Sequence, residues 1–319
     1  MLNTLRKQRA VGLDIAGSVV RALTLDGSVD KPRITGAGIA AIPPGADGAA
    51  SAQAIQAALA QAGVNGDAVI TSVGGPEVVV RQLTLPPVPP DRVLQALELQ
   101  HKDFGLLPPS ESLLDAQVLR RSKSDCLVLA VSAPKPVVEG RLRLLEQAAV
   151  KVRNLDVEAL ALLNAVLHLS KFDPRDLLVA LDLGKERTVL CIISERGPVV
   201  VRYLDVGASA IVEGSGDSDA GPTSDSSREA IRKIADEIRL SLAFYRSEYD
   251  RDGLPRYLLS GCLPVRRLNR WLTDQLRLES PFEVMDPFQA VRVTAARGKA
   301  EESAGSEFVQ AFGLALRAL

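Results

Sequence analysis

The sequence predicts an α/β protein built from two copies of one half, and three observations lead to this prediction. The segment Val11–Ile15 is echoed by Val179–Leu183, with an aspartate at the same place in each. Two further strand-like runs follow each copy in the same order, as expected for a duplicated half. The 319 residues are 46% apolar and 24% charged, which is ordinary for a globular chain long enough for two domains.

The first half is expected to begin as a β-meander, followed by a helix and a fourth strand. Apolar residues at strand and helix spacing, separated by glycine-containing turns, predict these elements. The predicted strands are Val11–Ile15, Val19–Leu25, Ile34–Ile42 and Ala68–Val73, and the predicted helix is Ser51–Ala62.

An insert of about residues 74–150 follows and is predicted to form a small α/β subdomain. Its strands are expected at Val78–Leu85 and Leu127–Ser132, and its helices at Asp91–Phe104 and about 138–149. A helix at Leu155–Leu169 is then expected to link the halves. We therefore divide the chain into a first half, residues 1–170, and a second half, residues 171–319.

The second half repeats the opening strands and then turns helical. The polar tract of about residues 213–227 is too poor in apolar side chains to offset its ordering entropy, so it is predicted to be a flexible loop. The remaining predictions are strands at Thr188–Ser194, Val199–Val206 and Arg256–Ser260, a helix bearing Ile231 to Tyr245 on one stripe, a helix opened by Pro264, and a closing helix with Phe308, Phe312 and Leu316.

Charge and cysteine content exclude several classes of function. The 38 basic and 39 acidic residues give no overall attraction to nucleic acid, so we expect none to bind. Charges interrupt every apolar run before the roughly 18 residues of a membrane-spanning helix, and no secretory signal is recognisable. Cys126, Cys191 and Cys262 lie too far apart for a disulfide framework or a zinc site, which favours a cytoplasmic location.

The turns after the first strand of each half carry residues suited to a nucleotide. A hairpin there can aim backbone N–H groups at phosphates, while an aspartate holds Mg²⁺ through water. The candidates are Asp14, Gly17, Ser18 and Arg21 in the first half, Asp182, Gly184 and Thr188 in the second, and Ser260 and Gly261 at a third strand end. Each fragment taken alone is more typical of a strand end or turn than of a site.

Several longer segments together carry a resemblance to a known family. They are Val11–Ile15, Val80–Pro86, Ala180–Gly184, Asp236–Tyr245, Leu259–Gly261, Asp286–Phe288 and Phe308–Leu314. Over nearly the whole length, the chain resembles the PilM family of type IV pilus assembly proteins, which are actin-like and related to the division protein FtsA. The resemblance implies an actin-like ATPase fold of two ribonuclease-H-like halves, with the insert replacing actin's small first-half subdomain and a reduced upper subdomain in the second half.

The resemblance also implies ATP in a cleft between the halves. Asp14 and Asp182 would hold Mg²⁺ through water, Arg21 would contact phosphate, and Glu237 would lie on the helix beside the adenosine. Glu158 would stand where actin and chaperone relatives orient a water molecule. Its simpler interpretation is an acid in the first turn of a helix, which the helix dipole favours.

This chain departs from the family pattern at the places that matter most for ATP. Ala16 and Cys262 stand where the family has glycine, and Lys185–Arg187 makes the second phosphate hairpin charged. Gly207–Ala208 and the polar tract replace much of the upper subdomain. We therefore predict a degenerate nucleotide site with weak or no ATP binding, and we do not expect hydrolysis.

The resemblance implies two functions, which the sequence leaves open. The first is a cytoplasmic scaffold, peripheral to the inner membrane, that binds the N-terminal peptide of a PilN-type inner-membrane partner and docks near the pilus assembly motor. That peptide would lie in a groove between the first half and the insert. The second is an ATP-binding switch or weak ATPase that controls partner affinity. A sugar or acetate kinase is disfavoured, and a related secretion machine remains an alternative to the pilus.

Overall fold

A computed structural model of the chain defines the fold. It describes residues 9–171, 173, 176–194, 197–212, 224–249, 254–262, 265–294 and 305–319. The elements before residue 171 are β1 (Arg9–Ala16), β2 (Val19–Ser28), β3 (Lys31–Ala41), α1 (Gly48–Gln61), β4 (Val69–Val73), β5 (Val79–Leu85), α2 (Val93–Leu99), β6 (Ser112–Arg121), β7 (Cys126–Pro134), α3 (Lys135–Gln147), β8 (Val152–Val157) and α4 (Glu158–Leu169). The later ones are β9 (Leu177–Leu183), β10 (Thr188–Ser194), β11 (Gly197–Leu204), α5 (Ala208–Val212), α6 (Asp225–Tyr249), β12 (Pro255–Gly261), α7 (Val265–Leu276), β13 (Glu283–Val284), α8 (Pro287–Ala290), β14 (Arg292–Val293) and α9 (Val309–Leu316).

Two sheets share one topology, which confirms the predicted α/β fold of two like halves. In the first sheet β1 pairs antiparallel with β2 and β2 with β3, while β4 and β8 add in parallel on the other side of β1. In the second sheet β9, β10 and β11 form the same meander, and β12 and β13 add in parallel beside β9. The first strands, β1 and β9, are buried along almost their whole length, as expected for central strands covered on both faces.

The main core lies between the two sheets and is filled largely by α4 and α9. The closing helix α9 is buried at every position and packs on α4 and β1. Its approach to β1 is so close that a Cβ at Gly12 would overlap the backbone of Ala311. The short strand β14 also joins the first sheet, beside β3. The division at about residue 170 thus separates the two five-stranded meander sheets, while β14 and α9 cross back onto the first half.

The insert between β4 and β8 is a separate three-stranded sheet in the order β5-β7-β6, with its own small core around Leu85, Leu97 and Val128. The strand β6 was not expected from the sequence. Its residues alternate between exposed and half-buried, and they include Asp115, Gln117 and two arginines, so the apolar half of the pattern is weak. Helix α3 leaves this sheet and packs on α1 of the first half.

Two predicted helices were wrong in extent. The helix expected at Asp91–Phe104 is a 3₁₀ turn at Pro90–Arg92 followed by α2, which ends at Leu99 because the chain turns back to bury Leu106 in the insert. The helix expected at Leu155–Leu169 begins at Glu158. The residues before it belong to β8, whose backbone groups pair in parallel with β4.

The polar tract is shorter than predicted at its C-terminal end. Residues 213–223 lie outside the described part of the chain, but α6 begins at Asp225 and the Ser227 side chain is buried with its hydroxyl donating to the carbonyl of Ile211. Pro264 also lies outside the described residues, and α7 begins directly after it. None of the described helices is long and apolar enough to cross a membrane.

Candidate functional site

A cleft opens where the two sheets face each other, at the ends of β1 and β9. It encloses about 800 Å³, part of it open to solvent, which is within the range of small-molecule sites. Asp14 near the end of β1 and Asp182 near the end of β9 both line it, so the duplicated strands place their aspartates on one cavity. Other predicted site residues on its wall are Gly17, Arg21, Glu158, Gly184 and Gly261.

Asp14 is held in a buried ion-pair chain. The Arg21 guanidinium lies 3.4 Å from Asp14 Oδ2 and 3.0 Å from Glu307 Oε2, and all three side chains are at least nine-tenths buried. Burial raises the pKa of Asp14, and the nearby Arg21 acts in the opposite direction. Arg21, which the resemblance assigned to phosphate, thus neutralises two carboxylates of the protein itself.

Asp182 is also bonded within the protein. It accepts hydrogen bonds from Ser260 Oγ at 2.6 Å and from Gln310 Nε2 at 3.2 Å. Burial raises the pKa of Asp182, whereas these two hydrogen bonds favour its charged form. Ser260 therefore acts by orienting Asp182 and does not itself line the cleft.

Gly184 and Gly261 are required by the protein's own backbone, because a Cβ at either position would overlap a backbone carbonyl. Gly184 forms a tight turn in which its N–H donates to the carbonyl of Arg187 at 2.9 Å. Gly261 has a φ of 113°, and a Cβ there would overlap the carbonyl of Leu183. Across the cleft, the Glu186 carboxylate rests against Gly17, where a Cβ would overlap it. A carboxylate thus occupies the space between the hairpins.

Glu158 opens α4 and faces the same cleft. Its carboxylate lies against Gly74, and burial, with a smaller contribution from Asp14, raises its pKa to about 7. The pKa is moderated by Arg141 and Arg187, which favour the charged form. A carboxyl with a pKa near neutrality has the range of a general base, but no substrate contact identifies that role here.

Besides Ser260, three predicted site residues lie away from the cavity wall. The Ser18 hydroxyl is buried without a partner among the described residues. Thr188 is buried and donates to the carbonyl of Val206 at 2.6 Å, which ties β10 to the segment after β11. Glu237 on α6 lies 3.6 Å from Arg202 on the outer side of the second half.

Three polar residues of the cleft were missed by sequence reasoning. They are Arg141, Glu307 and Gln310. Arg141 reaches in from α3 of the insert, and Glu307 and Gln310 come from the closing segment, so no local pattern connects them with the two hairpins. Glu186 was noticed, but only as one charge of an unusual hairpin.

The residues present do not fit a magnesium triphosphate. Five carboxylates and four cationic side chains line the cleft, so their formal charges give no net positive charge to attract a polyanion. Asp14 is paired with Arg21, and the cation would repel Mg²⁺. Within the described part of the chain, no group of three or more acidic, histidine or cysteine side chains is arranged to hold a metal. Burial raises the pKa of the Cys262 thiol to about 11, so that side chain is neutral too.

A second hollow lies beside the cleft, between the first half and the insert. This groove spans about 670 Å³, a volume that includes space open to solvent. One wall is a face of α3 formed by Val137, Gly140, Arg141 and Leu144, which recur at helical spacing. The opposite wall comes from the first half and consists of Ile15, Gly17, Ile42, Ser51, Val73 and Gly74.

Two sheets of one topology, a cleft between them and a hairpin after the first strand of each define an actin-like α/β protein. The ethanolamine utilization protein EutJ from Carboxydothermus hydrogenoformans shares this fold, with a TM-score of 0.50 and 12% identity over 99% of this chain and 92% of its own. The predicted fold class is confirmed.

A more specific similarity covers the same length. The chain matches one in a structure of the PilM–PilN type IV pilus biogenesis complex with a TM-score of 0.80 and 26% identity, over 97% of this chain and 98% of that one. The resemblance to PilM inferred from the sequence motifs is therefore confirmed. No protein-family model matches the chain, and no curated protein sequence does either.

Proposed function

We propose that this protein is an actin-like scaffold of type IV pilus assembly that binds the N-terminal peptide of a PilN-type inner-membrane protein. The observation that carries the proposal is the similarity to the PilM–PilN complex over almost the full length of both chains. The side chains that line the cleft do not fit a magnesium triphosphate, which supports a binding role over an enzymatic one. Attachment to the inner membrane would come through the partner, and the pilus motor components would dock on the same scaffold.

The groove between the first half and the insert is the proposed peptide site. It lies between the sheet of the first half and the insert, and its size suits several side chains of an extended segment. Val137 and Leu144 on α3 and Ile42 on the opposite wall are half-buried apolar side chains that can hold hydrophobic anchors. Arg141 supplies a cationic group at the boundary with the cleft.

Gly140 is a specific reason to assign the ligand to this groove. It lies inside α3, where glycine costs about 1 kcal/mol of stability relative to alanine. Its φ is not positive, and a Cβ placed there would meet no atom within 4 Å. Neither conformation nor packing requires glycine, which is consistent with a bound segment passing close to the helix at this point.

The test is the affinity of a fluorescent peptide with the sequence of the cytoplasmic N-terminus of the PilN-type protein from the same genome. We expect a dissociation constant in the micromolar range or tighter for the wild type without nucleotide. A Cβ at position 140 meets no atom within 4 Å, so a larger side chain can extend into the groove, and Gly140→Leu should weaken binding more than tenfold while the melting temperature is retained. A scrambled peptide and the variant Leu240→Ala, at an exposed site on α6, are the controls. Absence of wild-type binding under every nucleotide condition would refute the proposal.

The second candidate function is an ATP-binding switch in the same machine. The observation in its favour is the place of Glu158, which faces the cleft with a pKa of about 7. Calorimetric titration with Mg-ATP, using Asp14→Ala for comparison, separates the two functions. Binding by the wild type that is at least tenfold tighter than by the variant would favour the switch, and equal or absent binding in both would favour the scaffold.

A further inference from the structure

The cleft and the groove share one wall. Four residues line both hollows, namely Ile15, Gly17, Gly74 and Arg141. Three of these contribute backbone or a short apolar side chain. Arg141 is the member of the shared wall that can donate several hydrogen bonds to either hollow.

Most N–H groups of the Arg141 guanidinium make no hydrogen bond to the described residues. Its Nη2 donates to the backbone carbonyl of Ile15 at 3.0 Å, and this is its one hydrogen bond to the described residues. No carboxylate of the described chain lies within 4 Å of its guanidinium, in contrast to Arg21, which pairs with two. A guanidinium has five N–H donors, so most of those on Arg141 remain for water or a ligand.

The position of Arg141 is nevertheless fixed. Val138 and Leu145, which flank it on α3, are buried in the main core and in the core beneath α1, so the backbone from which it projects is anchored. The carbonyl of Ile15 then fixes the position of its guanidinium on the shared wall. Burial lowers the pKa of Arg141, whereas the nearby carboxylates of Glu158 and Asp14 act in the opposite direction by electrostatic attraction.

We propose that Arg141 is the specificity-determining residue of the groove, where its guanidinium donates hydrogen bonds to one oxygen-bearing side chain of the bound peptide. This inference rests on the proposed function, because it names what reads the peptide in the same groove. Apolar side chains of the peptide that pack on Val137 and Leu144 contribute affinity, but this packing selects little among different hydrophobic side chains. A charged donor on the groove wall selects for an Asn, Gln, Asp or Glu at one position and penalises an apolar residue there.

The test is an alanine scan of the PilN-type peptide, measured by fluorescence anisotropy against four forms of the protein. These are the wild type, Arg141→Met, Arg141→Lys and Arg143→Met. Arg143 is a matched control, because it lies on the same helix, is 64% exposed and pairs with Glu139 at the surface. Melting temperatures of all four show whether each variant is folded.

In the wild type, alanine at one polar peptide position should weaken binding by about tenfold to a hundredfold, the usual range for a hydrogen bond to a charged group. The affinity of Arg141→Met for the parent peptide should be lower than that of the wild type by a similar factor. This variant should bind the same alanine peptide no more weakly than the parent peptide. Arg141→Lys keeps the charge without the planar fork and should fall between the two. Arg143→Met should behave as the wild type.

Three results would overturn the inference while leaving the proposed function intact. One is unchanged affinity for the parent peptide in both Arg141 variants. Another is a loss in Arg141→Met that is the same for every peptide of the scan, which indicates a structural role. The third is a wild-type scan without a sensitive polar position. If the wild type binds no peptide at all, the proposed function fails first, and the inference fails with it.

Discussion

Glu158→Gln should make the protein more stable at alkaline pH, and the gain should disappear on acidification. Burial raises the pKa of Glu158 from 4.5 to about 7. The folded protein therefore keeps a proton that the unfolded chain releases, and the stability of the wild type falls as pH rises from about 4.5 to 7. A pKa change of this size corresponds to about 3 kcal/mol at pH values above 7.

The variant removes this titration, because glutamine keeps the shape of the side chain without its charge. Urea unfolding between about pH 5 and pH 8 should show Glu158→Gln to be about 1 to 3 kcal/mol more stable than the wild type at the upper end, with most of the gain gone at the lower end. After burial, the charge of Asp14 makes the next largest contribution to the raised pKa of Glu158. Glu139→Gln, an exposed acid on α3, is the control and should show no such trend. A stability difference that is the same at every pH would refute the electrostatic reasoning.

Three further substitutions test packing and charge elsewhere. Arg21→Met should lower the free energy of unfolding by about 3 to 5 kcal/mol, because it leaves two buried carboxylates without their cation; a loss below 1 kcal/mol would contradict the ion-pair chain. Gly12→Ala should cost about 3 kcal/mol in the same denaturation assay, since its methyl group would overlap the backbone of α9, and neutral behaviour would argue against that packing. Gly140→Ala should raise the melting temperature, with a gain of about 0.5 to 1 kcal/mol, yet weaken peptide binding; improvement of both would remove the functional reason for this glycine.

The sequence was most informative where elements repeat and bury a continuous apolar run. Thr188–Ser194 was predicted at its observed bounds, and the matching meanders of the two halves followed from the echo of Val11–Ile15 in Val179–Leu183. Central strands covered on both faces leave this strong signal. The edge strand β6 gave almost no such signal in the sequence, because its polar and apolar residues alternate imperfectly.

Helix boundaries next to strands were less predictable for a related reason. Leu155 and Val157 fit the apolar stripe of α4, and nothing local distinguishes them from its first turn. They form a strand because β4 offers a parallel partner that is distant in sequence. Tertiary pairing of this kind overrides local preference.

The sequence predicted the two aspartates of the candidate site, but it did not predict the side chains that pair with them. Asp14 and Asp182 could be identified because each lies near the end of a recognisable buried strand. Their partners come from elsewhere: Glu307 and Gln310 arrive on the closing segment, and Arg141 arrives on a helix of the insert. A single sequence carries no signal that joins such distant positions, so the charge balance of the cleft became visible only in the fold.

Isothermal titration of the PilN-type peptide into the protein, with and without Mg-ATP, tests the central claim most directly. A scaffold whose cleft is neutralised by its own side chains should bind the peptide at micromolar or tighter affinity, with the same dissociation constant in both titrations. Binding that requires Mg-ATP, or that changes tenfold or more when it is added, would contradict this account.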